Sequence, residues 1–150
     1  MTARYGMITS TARGLRIIMA LLLFTAAPGT IGPAHAGGGA AAAAEVGTAG
    51  LQSCSASAGK ALYDCVAGVL DRMGGTLNRY DPPEARSALQ TAASQLRAAS
   101  SKAQALSAIS VCRSVFASLV KQATASSHPA GLSAVIGVLS KAAQLIQSKG

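Results

Sequence analysis

An all-α fold follows from three features of the chain. Apolar residues recur every three or four positions from Leu51 onward, helix-start signals stand between the periodic runs, and no segment alternates apolar with polar residues as a half-buried strand does. The arrangement predicted from them is a small up-and-down bundle of four helices with short connections. The alternative is an elongated three-helix form built on one long central helix.

The first 36 residues stand outside that pattern. Arg4, Arg13 and Arg16 form a positive head, the apolar run Ile17–Phe24 follows, and Pro28, Gly29, Gly32 and Pro33 interrupt the chain before Ala34-His35-Ala36. Ala34 and Ala36 are the small residues a signal peptidase reads, so this order predicts a secretory signal cleaved between Ala36 and Gly37. The apolar run is well short of the ~20 residues that cross a bilayer. Cleavage leaves 114 of the 150 residues, enough for one domain, and directs them to the periplasm or the medium.

That mature segment carries ten Lys and Arg against five Asp and Glu, a net charge of +5 with His neutral. The cations stand singly, and Tyr63, Tyr80 and Phe116 are its only aromatics. Nucleic-acid binding asks for clustered cations beside stacking platforms, so no nucleic acid is expected as a partner. Residues 37–50 are a low-complexity stretch of Gly and Ala with one charge, Glu45. Consecutive glycines are costly to order and alanines bury little area, which predicts a flexible leader. The helical bundle then occupies 51–150.

The first helical stripe is Leu51, Cys54, Ala58, Leu62, Cys65, Val69, Met73 and Leu77, weakening at Gly74-Gly75. Asp81-Pro82-Pro83-Glu84 then reads as a helix start. Asp81 supplies an oxygen for an orphan amide, proline has no amide to lose, and Glu84 faces the positive end of the dipole. The stripe resumes as Leu89, Ala92, Leu96, Ala99, Ala103, Leu106, Ile109, Cys112, Phe116, Leu119 and Ala123, with neither Gly nor Pro between Glu84 and Pro129. Ser101-Lys102-Ala103-Gln104 has the form of a capping box, and an unbroken helix here would far exceed the usual ~10–14 residues. A break near Ser100-Ser101 is therefore expected. The last helix runs from about Pro129 to about Ser148, with Leu132, Val135, Ile136, Leu139, Ala142, Leu145 and Ile146 on its apolar side.

Cys54, Cys65 and Cys112 all fall on apolar stripes, and an oxidising compartment favours a bridge between two of them. On one continuous helix Cys54 and Cys65 lie ~16 Å apart, beyond the ~7 Å Cα limit of a disulfide. Either Cys112 bridges to one of them, or Cys54 precedes the helix and folds back onto Cys65. The four-helix topology favours Cys65–Cys112, leaving one thiol buried or free to link two chains into a dimer. The three cysteines with His128 would also make four ligands for zinc or cuprous copper. Their spacings contain no close ligand pair.

No catalytic residue is assigned and no cofactor is expected. His128, Asn78 and a cysteine occur together in composition alone. Asp64 and Asp71 share a helix face, where Lys60 four residues before Asp64 fits a surface ion pair. These features predict a non-enzymatic binding or structural module of the cell envelope, its partner an envelope or extracellular protein. Two alternatives accompany that expectation. One is a cationic protein acting at a membrane surface through the helix after Pro129; the other is an envelope zinc or copper carrier.

Overall fold

The structure, a computed structural model, describes residues 39–123 and 129–150. It is all-α, with five helices and no strand among the described residues: α1 (Ala40–Cys54), α2 (Gly59–Thr76), α3 (Pro83–Ala98), α4 (Lys102–Ala123) and α5 (Pro129–Lys149). Each helix packs against its neighbour in the chain, and α1 closes the ring by packing against α5. A minor contact of α2 with α5 crosses the interior. A Cβ on Gly131 would lie 2.9 Å from the Ala41 nitrogen, while Lys149 Nζ donates to the Ser55 carbonyl. Like ends of α1 and α5 therefore meet, and these two helices run parallel.

The bundle has five helices rather than four because the first predicted helix is two. Ser55 Oγ donates to the Gln52 carbonyl at 2.7 Å, and the Ser57 amide donates to the Cys54 carbonyl at 3.0 Å. These bonds close a turn, since serine side chains offer the backbone an alternative to the helical ladder. Gly59 then takes φ +55°, which costs glycine little, and α2 sets off in a new direction.

Ala40–Gly50, assigned above to a flexible leader, is helical, and its small residues are the reason. Ala40, Ala43, Ala44, Gly47, Gly50, Leu51 and Cys54 make one buried face. A Cβ on Gly47 would stand 2.6 Å from Met73 Sδ of α2 and 2.7 Å from Val138 Cγ1 of α5. The face buries little area per residue but lets α1 seat its backbone in the notch between two helices, where dispersion contacts accumulate.

The start of α1 is also capped from a distance. Asp81 Oδ1 accepts the Ala40 amide at 3.2 Å, Oδ2 accepts the Asn78 amide at 2.8 Å, and the Gly39 amide donates to the Thr76 carbonyl at 3.2 Å. Asp81 thus does not cap α3. That helix starts at Pro82-Pro83 with no side-chain hydrogen bond at its cap, which a proline start tolerates because it presents fewer orphan amides. Asp81→Ala is expected to cost about 1–2 kcal/mol. Amide exchange should accelerate at Ala40–Ala44 and leave Ala85–Leu89 unchanged; the opposite pattern would return Asp81 to α3.

The α3–α4 break lies where the sequence places it. Ser101 Oγ accepts the Gln104 amide at 3.3 Å, and Gln104 Oε1 accepts the Ser100 amide at 2.8 Å. α5 also matches its predicted bounds closely. Phe116, Leu62, Leu70, Met73, Leu89, Leu96, Ile109, Leu139 and Ile146 are the largest side chains fully enclosed, and no polar or charged residue is buried among those described.

Candidate functional site

The cysteines resolve differently from the favoured pairing. Cys54, at the last turn of α1, is bonded to Cys65 on α2 with Cα atoms 5.7 Å apart, and Cys112 on α4 is free and buried. The Ser55–Ala58 turn makes this possible, because it removes the axial rise that a continuous helix would have put between the two. The Cys65–Cys112 expectation is therefore corrected to the fold-back alternative. Cys112 is 2 % exposed, so the odd cysteine offers no accessible thiol for linking two chains in this conformation.

The disulfide also undoes the four-ligand metal reading. Cys54 and Cys65 are joined to each other and present no thiolate, the form in which cysteine binds zinc or copper. His128 lies outside the described residues, as do Ala34, Ala36 and Gly37 of the expected cleavage site. Among the described residues, no three of His, Cys, Asp and Glu are grouped to hold a metal ion. Asp64 pairs with Lys60 on the same exposed helix face, and Asp71 pairs with Arg97 of α3. Both carboxylates belong to surface ion pairs of low energy.

What the sequence reading missed is a groove between α3 and α4, about 530 Å³ in volume. Its apolar lining comes from Ala88 and Ala92 of α3 and from Ala108, Val111, Cys112 and Val115 of α4. Glu84, Ser87, Thr91 and Gln95 supply the polar part along α3. The groove exists because the facing side chains of α3 are alanines. They are too small to cover the valines opposite, and Val111 remains 54 % exposed. Such a lining, mostly apolar with a few hydroxyls and an amide at the edge, is typical of small-molecule sites, and so is the volume.

Cys112 takes part in the lining as an apolar surface. Burial pushes its thiol up from 9.0 to about 12, because the thiolate would be desolvated. It is therefore held protonated at neutral pH and is not a nucleophile there. A second groove, about 640 Å³, runs between α1 and α5 over Ala44, Thr48, Ala134, Gly137 and Val138, with Glu45 and Lys141 on its lining. It is the larger of the two, but its lining carries two charged side chains, Glu45 and Lys141, that an apolar ligand would have to desolvate. Comparison with known proteins finds no matching family model, no similar curated protein and no similar solved structure.

Proposed function

We propose that the chain is an exported, non-enzymatic binding module whose α3–α4 groove takes a small neutral apolar ligand, such as an aliphatic chain or an aromatic ring system. The observation that carries this reading is the apolar strip of exposed Val111 with half-buried Val115 and Ala88, laid over buried Ala92 and Ala108 with a protonated thiol beside it. Export rests on the three-part N-terminal pattern and Ala34-His35-Ala36. A non-catalytic role is favoured because the groove brings together no base, nucleophile and orienting partner; Glu84 at one end is its only carboxylate.

A direct test titrates the neutral dye N-phenyl-1-naphthylamine and follows its fluorescence. Saturable binding at one site is expected. Val111→Asp should weaken it at least about ten-fold, since a carboxylate on the wall must stay hydrated. Tyr80→Ser, at an exposed position on the α2–α3 turn, should leave it unchanged. Unsaturable dye uptake, or equal affinity in the Val111 variant, would remove the groove from the account.

A further inference from the structure

All five acidic residues of the mature segment lie between Glu45 and Glu84, and residues 85–150 contain none. Seven cations occupy that acid-free half, all exposed: Arg86, Arg97, Lys102, Arg113, Lys121, Lys141 and Lys149. Five of them are on α4 and α5. Arg113 and Lys141 stand near the middle of those two helices and belong to neither ion pair, Lys60–Asp64 or Asp71–Arg97; the one carboxylate on a groove lining with Lys141 is Glu45 of α1. We propose that α4 and α5 together form a docking surface for an anionic lipid membrane, on which the bundle lies peripherally.

Charge complementarity selects the partner, and the chemistry of the two helices narrows it. The only aromatic side chain beyond residue 84 is Phe116, which is fully buried, so the surface has no platform on which bases could stack. Several of its hydroxyls bond back to carbonyls of their own helices. Ser114 Oγ donates to the Ser110 carbonyl at 3.1 Å, Ser118 Oγ to the Ser114 carbonyl at 3.1 Å, and Ser140 Oγ to the Ile136 carbonyl at 2.9 Å. A surface built this way can meet the headgroup layer without leaving those donors unpaired.

Both helices are long and apolar enough to cross a bilayer by length and composition. Arg113 and Lys141 at mid-helix oppose a crossing, however, and Ile109, Cys112, Phe116, Leu139 and Ile146 are committed to the core. A peripheral position keeps that core intact and sets the cations against lipid phosphates.

The test is co-sedimentation of protein recovered from the exported fraction with vesicles. One set is phosphatidylglycerol and phosphatidylcholine in equal parts, the other phosphatidylcholine alone. Binding to the anionic vesicles only is expected, and it should be abolished when salt is raised from 0.05 to about 0.5 M, where screening is nearly complete. Each cation near the surface is worth about five-fold in partitioning, so Arg113→Gln with Lys141→Gln should lower it about 25-fold with the helical signal unchanged. Arg72→Gln on α2 serves as the control and should change it less than two-fold. Equal binding to neutral vesicles, an unaffected double variant, an equal loss in the Arg72 variant, or comparable binding to duplex DNA would overturn the assignment. Dye binding in the α3–α4 groove does not depend on this surface, so either result can fail while the other stands.

Discussion

Phe116→Ala lowers the stability of the bundle by about 3–5 kcal/mol, the cost of removing a fully buried aromatic ring together with the cavity it leaves. Phe116 is the largest fully buried side chain of the core and the only phenylalanine after Phe24 in the sequence. Its neighbours along α4 are Ile109, Cys112 and Leu119, and the rest of the interior is leucine, valine, methionine and alanine with Tyr63, Ile146 and Cys54. Alanine seams cannot collapse inward to refill a phenyl-sized void. Domains of this size are stable by only about 5–15 kcal/mol, so the variant should be partly unfolded at physiological temperature. Urea unfolding of both proteins measures the difference. A loss below about 1 kcal/mol would mean that α4 does not turn this face to the core.

Replacing Cys54 and Cys65 together by serine lowers stability by roughly 3 kcal/mol on the chain-entropy account, because the bridge closes a loop of sequence separation 11. The bond also fixes the reversal between α1 and α2. Without it the alanine-rich α1, which buries mostly small residues, should be the first helix to exchange its amides. Thiol counting gives the same account an independent readout. One thiol per chain is expected in denaturant, and none that reacts promptly in the folded state at pH 8, where Cys112 is buried and protonated. A Cys65–Cys112 peptide in non-reducing digests would contradict the turn at Ser55–Ala58 as well as the bridge.

Much of the fold is legible in the residues themselves. The capping box at Ser101–Gln104 and the stripe from Leu132 to Ile146 specify their helices through local interactions, and both stand where local reasoning puts them. α1 is different. Its glycines and alanines carry no signal of their own, because what they contribute is proximity to Met73 and Val138, residues far away in the chain. Asp81 shows the same difficulty in one side chain: it has every local mark of a cap for α3, yet its oxygens serve Ala40 and Asn78. The fold-back of Cys54 had a readable sign in Ser55, Ser57 and Gly59, but the apolar period running through them was the stronger pattern. The groove had none. Val111 flanks the same helical stripe as Ile109 and Cys112, and only the small side chains of Ala88 and Ala92 across the interface leave it uncovered.

The central claim is that the α3–α4 groove is where an apolar ligand goes, and methyl-resolved NMR tests it most directly. In a titration with 1-decanol, the methyl groups of Val111, Val115, Ala88, Ala92 and Ala108 should shift together and saturate, with those of Ala134 and Val138 in the α1–α5 groove unmoved. Shifts confined to Ala134 and Val138, or none up to the solubility of the alcohol, would contradict it.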